Sequence, residues 1–385
     1  MAPSNPKAKS SLGMTVTDAR GEVVCDLVAG LACTLGHRHA SVLKAIESAC
    51  GSHLGDALES LAADWQKQAG DIFSPFAFSH LLPSRNDANE LALRIARTAK
   101  GKNRYRVITL LGSDHGDTFA LRSASGRVQS QGGDGPVAVG FRHVIAGDID
   151  AMKKAIDDPT AAVCMSPVDW NRGGEPFDTD YLDAVGSLCR ERDLLLMIDE
   201  TKVPPGVGGT DFFYQRSSLT PDLLTLSSGW HAGLGGGMTL ATEAVIAKLN
   251  ERDDVDLSWS RQCRDLPLLR SVVLAISHSL ANDHRRESVD EVAELWAAML
   301  DDLTGGFDFV KGCVHAGLWT TIELDLPAVE VASSALSNGL RVLATGETTL
   351  LICPPIVATG DTLLEAIQPL RQAFEKLESE TTPSP

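Results

Sequence analysis

The chain has 385 residues, 43% of them hydrophobic and 22% charged, so it can bury a large core and has the length for two or three domains. Its 51 acidic residues outnumber 34 basic ones, giving a net charge of −17, and that field repels nucleic acid and anionic membrane surfaces. No stretch approaches the ~18 consecutive apolar residues of a membrane span, and the first residues lack the apolar core of a signal peptide, so a cytoplasmic protein is expected.

Residues 1–12 are rich in Pro, Ser, Lys and Asn and are expected to form a disordered arm. Met14 to Leu27 reads as a hairpin that turns over Asp18 to Gly21. Ala40 to Cys50 and Ala57 to Gly70 carry helical spacing. His37 and His39 form an HxH pair, but no partner at metal spacing accompanies them, so packing or turn roles are expected and no metal is assigned. The eight cysteines are scattered without a CxxC pair and read as small buried hydrophobes rather than disulfides or metal ligands.

Ser84-Arg85-Asn86-Asp87 opens an amphipathic helix with apolar positions at Ala88, Leu91, Ile95 and Ala99. Such a polar helix start offers free N–H groups to an anion, or is simply capped. Arg106 to Leu111 is a strand, Ser123 to Gly135 a Gly/Ser/Gln-rich loop, and Ile149 to Ile156 a helix. Ala161 to Met165 is a strand and Asp180 to Arg192 a helix. The alternation from residue 80 to 245 predicts a mostly parallel α/β sheet.

The apolar run Leu194 to Ile198 stops at Asp199-Glu200, as a buried parallel strand does when it delivers an acid to the carboxyl edge of a sheet. The alternative is that Asp199 caps a turn. A second run, Leu223 to Leu226, ends at Ser227-Ser228 and leads into Gly233 to Gly237, so two strand ends are expected to face one pocket. Beyond it, Glu243 to Asn250 is helical, and Leu268 to Leu280 and Val289 to Leu303 are long apolar-periodic helices.

The strand ending in Asp-Glu, the GxGxT at Gly206 to Thr210, Pro221-Asp222-Leu223-Leu224-Thr225-Leu226 and the glycine cluster resemble the class III aminotransferases. These are pyridoxal phosphate (PLP) enzymes of fold type I. Gln215-Arg216 and Thr220-Pro221-Asp222 are similar to the dialkylglycine decarboxylase branch. The resemblance spans residues 20–375 and implies a mostly parallel central sheet in a large domain plus a smaller α+β domain built from the chain ends. The expected boundaries are 13–50 for the first part of the small domain, 51–265 for the large α/β domain, 266–305 for linking helices and 306–385 for the remainder of the small domain. It also implies a homodimer with pockets at the subunit interface and a small-molecule ligand.

Residue by residue, the resemblance places Asp199 at the pyridine nitrogen of PLP. It places Ser84, Arg85 and Asn86 in the phosphate cradle, with Arg85 in place of a glycine and Asn86 in place of a threonine. Asp114 stands where the family has an aromatic ring that stacks on the pyridine, followed by the matching His115. Lys202 stands where the family has a Gln beside the cofactor's hydroxyl. Ser166 replaces a glutamate, Leu351 the substrate-carboxylate arginine, and residues 260–262 offer no threonine for the partner's phosphate. The Schiff-base lysine aligns with Ser228, or with Ala232 when counted back from Gly235 to Gly237; neither alignment recovers a lysine.

From these departures the expected function is an atypical enzyme with PLP-type, pyridoxamine phosphate-type or remodelled-pocket chemistry at a weakened cofactor site, and not an ordinary transaminase. One alternative is a non-catalytic binding or partner protein, with no cofactor. The other is a PLP-independent enzyme using Asp114, His115 and Asp199. His231, in a lengthened loop, ranks first as a base acting without covalent attachment, and Lys202 second as a displaced Schiff-base lysine. A solvated loop role for Lys202 and a packing role for His231 are the competing readings.

Overall fold

The computed structural model describes residues 8–51, 58–101, 103–126, 138–251, 267–281 and 283–381. The expected disordered arm gives way at Ala8, because Ala8–Leu12 is a strand, β1. Gly13, with φ 57°, reverses the chain so that β1 pairs antiparallel with β2 (Thr15–Asp18). β2 turns into β3 (Val23–Asp26) over the expected hairpin, where Asp18 Oδ1 accepts from the backbone N–H groups of Arg20 at 2.7 Å and Glu22 at 3.0 Å. Residues 1–7 lie outside the described residues.

Helices α1 (Ala40–Gly51) and α2 (Leu58–Ile72) lead to β4 (Phe76–Leu82), α3 (Arg85–Lys100) and β5 (Arg106–Leu110). Part of the expected Ser123 to Gly135 loop is helical instead. Thr118 caps α4 (Phe119–Ser125), which runs on until Gly126 ends it in the left-handed region, and residues 127–137 lie outside the described residues. Then come β6 (Phe141–Val144), α5 (Ile149–Ala155), β7 (Thr160–Met165), the short pair β8 (Val168–Asp169) and β9 (Glu175–Pro176), and α6 (Thr179–Glu191). β10 (Leu195–Glu200), β11 (Leu223–Leu226), β12 (Gly237–Thr242) and α7 (Glu243–Asn250) follow.

The central sheet has seven strands in the order β4-β12-β11-β10-β7-β5-β6, all running in one direction except β12, which is antiparallel to both of its neighbours, β11 and β4. All six residues of β10 are buried. Leu196 and Ile198 pack into one apolar cluster and Leu195 and Met197 into another, on the opposite face. Alternate side chains of a strand leave opposite faces, so a strand covered on both sides must be apolar throughout, and its uninterrupted run follows.

The rest of the described chain comprises α8 (Pro267–Leu280), α9 (Asp283–Thr304), β13 (Val310–Ala316), β14 (Trp319–Leu324), α10 (Ala328–Ser337), β15 (Leu340–Arg341), β16 (Leu343–Ala344), β17 (Thr349–Ile352) and α11 (Gly360–Thr381). β13, β14, β17 and β16 form an antiparallel sheet whose core includes Trp296, Leu300 and Phe374 from the helices. β15 pairs in parallel with β3, so the two ends of the chain share one sheet. Beyond β10 the chain turns at Thr201-Lys202, beneath segments that the chain ends bring over the edge of the sheet.

Candidate active site

A cavity of ≈ 460 Å³ opens beyond the carboxyl ends of β10 and β11, lined among others by Arg85, Trp170, Lys202, Ser228, His231 and Leu351. The parallel register sets Asp199 beside Thr225 and Glu200 beside Leu226, which brings Thr201-Lys202 level with Ser227-Ser228. Ser228 N–H donates to the Thr201 carbonyl at 2.9 Å and locks the two strand ends together. Both strand ends thus reach the same space.

Asp199 and Glu200 leave opposite faces of β10 and do different things. Both oxygens of the buried Asp199 are engaged: Oδ2 lies 2.7 Å from His115 Nδ1 and accepts from Asn89 Nδ2 at 2.9 Å. Oδ1 accepts from Thr201 N–H at 2.9 Å and from its hydroxyl at 2.7 Å. Burial pushes the Asp199 carboxyl up, but the His115 hydrogen bond and charge, with Thr201, hold it below the usual carboxylate range. His115 is correspondingly raised: burial opposes its charge, while Cys164 and the Asp199 carboxylate favour it. The two lie behind the cavity rather than on its wall, each favouring the other's charged form. Glu200 instead accepts from the backbone N–H groups of Phe213 at 3.0 Å and Tyr214 at 2.7 Å, and burial pushes its carboxyl up to about 7.

At the start of α3, Ser84 is the N-cap and its hydroxyl is tied to Asp87, 2.6 Å from Oδ2. Asn86 Oδ1 accepts from Asp117 N–H at 3.2 Å. Between them, Arg85 turns toward the cavity. Its Nη2 donates to Asp114 at 3.4 Å and to Asp117 at 3.2 Å, while its buried Nη1 has no hydrogen-bond partner among the described residues. A buried guanidinium N–H left unpaired is costly unless a ligand supplies an acceptor. Asp114 also accepts from Lys202 Nζ at 2.7 Å, and that ammonium lies 3.9 Å from the centre of the Trp170 ring. Two cations, an aromatic face and the apolar Leu31 and Leu351 suit a small anionic aromatic ligand.

His231 Nδ1 lies 2.9 Å from the Ser227 carbonyl; a carbonyl can only accept, so Nδ1 carries the proton and Nε2 keeps a lone pair. Nε2 is buried and has no partner among the described residues. Burial lowers this imidazole to about 4. The Ser228 hydroxyl donates to the Leu31 carbonyl.

Of the residues singled out in the sequence, the cavity wall collects Arg85, Lys202, Ser228 and His231, while Asp114 holds two of them from behind. Ser84 bonds within its own turn and Asn86 to the loop before α4, Asp199 and His115 form the buried pair, and residues 260–262 lie outside the described residues. Sequence reasoning missed Trp170, which is visible only once β8 and β9 bring it under Lys202. Asn89, which the resemblance matches within the phosphate-cradle motif, instead uses its Nδ2 to donate to His115 O at 2.7 Å and to Asp199, and its Oδ1 to accept from Thr225 at 2.6 Å. An amide on the buried face of an amphipathic helix was the available signal.

Two solved structures share this architecture: a transaminase from Virgibacillus (TM-score 0.87, 18% identity, covering 98% of this chain and 94% of that one) and the ornithine aminotransferase of Toxoplasma gondii (TM-score 0.85, 20% identity, 97% and 91%). The fold is that of the PLP-dependent transferases of fold type I. The family model for aminotransferase class-III matches residues 3–374, and the chain belongs to that family, whose members use PLP. Acetylornithine aminotransferase from Bacillus subtilis is 30% identical over 375 residues, covering 95% of this chain and 94% of the relative; that of Caldanaerobacter subterraneus is 29% identical over 376 residues, covering 95% and 93%.

These relatives overturn the expectation of an atypical enzyme, and with it both alternatives, the non-catalytic partner protein and the PLP-independent enzyme. The proteins matched from end to end are named as transaminases and point to ordinary transamination. The physical reason lies in the tertiary structure, where Lys202 lines the cavity from the end of β10 while Ser228 stands at the end of β11. Aligning positions asks which residue occupies one place in the chain, whereas chemistry asks which group reaches the cavity, and an amine does so from the neighbouring strand end.

Proposed function

We propose that this chain is a PLP-dependent aminotransferase acting on a small amino compound of the ornithine or N-acetylornithine type, with Lys202 as the amine of its active site. The observation that supports the reading is the cavity in which Lys202 Nζ stands on the Trp170 face, with Arg85 on the same wall and both cations held by Asp114. Bound there, PLP would supply the electron sink for exchanging an amino group. By the family resemblance Asp199 serves its ring nitrogen and Arg85 its phosphate, with Ser84 and Asn86 shaping the turn that carries Arg85. His115 keeps Asp199 ionised, and the free lone pair of His231 Nε2 accepts a hydrogen bond from ligand.

In this reading Ser228 occupies the family's lysine position and Lys202 replaces it from the strand end alongside, which reverses the ranking of His231 over Lys202. At about 4, the His231 imidazole is too weak a base to lead. The dialkylglycine decarboxylase-like branch, a cytoplasmic location and the division into 13–50 with 306–385, 51–265 and linking helices 266–305 belong to the same reading. So does a homodimer: Leu111 (46% exposed) and Ile145 (65%) follow the ends of the adjacent strands β5 and β6, Phe119 (68%) opens α4, which packs on both strands, and all three leave apolar surface uncovered.

The test combines labelling with turnover. Protein incubated with PLP and reduced with borohydride should yield one pyridoxyl-labelled peptide, that containing Lys202. A portion of the PLP-loaded protein kept from reduction should pass amino groups from N-acetylornithine or ornithine to 2-oxoglutarate. Lys202→Ala should abolish the label and lower turnover by roughly 10⁴-fold or more. Absence of both label and transfer in the wild-type protein would overturn the proposal.

A further inference from the structure

Away from the cavity, the edge strand β13 carries Cys313 and His315 two residues apart, so both side chains leave the same face. α9 packs against β13 and presents Asp301 to that face. His315 Nε2 lies 3.1 Å from Asp301 Oδ1 and 3.4 Å from Cys313 Sγ, and the three atoms lie within 4.8 Å of one another. On the other side of the ring, Nδ1 lies 2.9 Å from the hydroxyl of Thr320, its direct partner across the β13–β14 pair. Thr320 is fully buried, so the ring is held from behind. The Asp301 carboxylate can only accept, so without a metal Nε2 carries the proton and Nδ1 accepts from the Thr320 hydroxyl; passing to the other tautomer, with Nδ1–H donating to that hydroxyl, frees the Nε2 lone pair for a metal.

We propose that Asp301, Cys313 and His315 form a site for a tetrahedral divalent cation of the Zn²⁺ class, with water as fourth ligand. One sulfur, one imidazole nitrogen and one carboxylate oxygen match Zn²⁺, whereas Ca²⁺ and Mg²⁺ require oxygen ligands throughout. Donor atoms about 2.0–2.3 Å from a tetrahedral metal stand roughly 3.3–3.7 Å from one another, close to the two distances that His315 already makes. The remaining pair closes by rotation of the exposed Asp301 side chain, without moving the strand. On binding, the Cys313 proton leaves to solvent and the thiolate takes its place on the metal. The cation would staple α9 to the edge strand, which otherwise has no strand on its outer side.

The full-length protein, dialysed against a chelator and loaded with PLP, is titrated with Co²⁺ and then with Zn²⁺. One Co²⁺ per chain should give intense visible bands of tetrahedral geometry together with a near-ultraviolet thiolate charge-transfer band, and equimolar Zn²⁺ should erase both. Cys313→Ser should lose the charge-transfer band, and His315→Gln and Asp301→Asn should each bind about 10-fold more weakly or worse. Zn²⁺ should raise the melting temperature of the wild-type protein and leave that of His315→Gln unchanged, with circular dichroism showing each variant folded. Absence of saturable uptake at micromolar metal would overturn the site, as would an unchanged spectrum and affinity in Cys313→Ser and His315→Gln.

Discussion

At the residue scale, Asp26 joins the two ends of the chain. Its carboxylate, all but sealed from solvent, lies 3.0 Å from His37 Nε2 and accepts from Arg341 Nη1 at 3.0 Å. The hydrogen bonds to Asp26 and then to Cys33 outweigh burial and push His37 up to about 9. Because the folded value lies above the ordinary 6.5, protonated His37 contributes its full stability below about pH 6.5 and loses it as pH rises through 9. With allowance for partial solvent screening the contribution is about 1–2 kcal/mol. Denaturant midpoints from pH 6 to 10 should fall more steeply for wild type than for His37→Gln, which keeps a donor but does not titrate; parallel curves would contradict the assignment. The HxH spacing could not show this. Gly36 and Arg38 both take positive φ, 79° and 54°, so the two rings part: His37 meets Asp26, and His39 Nδ1 lies 2.7 Å from Ser41 Oγ.

At the scale of elements, the site depends on how closely β12 runs beneath the first turn of α3. A Cβ placed on Gly237 would lie 2.2 Å from the Ser84 carbonyl oxygen and 3.0 Å from Ala88 Cβ, both fixed parts of the helix start. Gly237→Ala must therefore lift that turn, and with it Arg85. We expect a loss of about 1–3 kcal/mol of stability in chemical denaturation, together with weaker PLP labelling. An unchanged denaturation midpoint would show that the turn has room to yield. α3 itself was legible in the sequence because its apolar positions recur at helical spacing. β1 was not, because its AKSSL carries no alternating pattern and its pairing depends on the turn at Gly13.

For the whole molecule, the proposed dimer would cover the exposed apolar residues Leu111, Phe119 and Ile145. Light scattering after size exclusion at micromolar concentration should report twice 41.0 kDa, and Phe119→Asp should shift the population toward monomer. A wild-type protein that elutes as a stable monomer would remove the interface from the proposal.

The sequence alone determined the central sheet, because a strand buried on both faces must be apolar throughout and only a few residue patterns satisfy that, as Leu195 to Ile198 do. It also determined that β10 and β11 end at one pocket, since each apolar run stops abruptly at polar residues. Tertiary structure alone decided what stands in that pocket. Lys202 meets Trp170 and Asp114, and Arg85 meets Asp114 and Asp117, through contacts between residues far apart in the chain. The same holds for Asp301, Cys313 and His315, where a helix and a strand bring three ligand types together. Local propensity sets which way each segment folds; the direction a side chain takes across a gap depends on packing between segments, which no single stretch of sequence encodes.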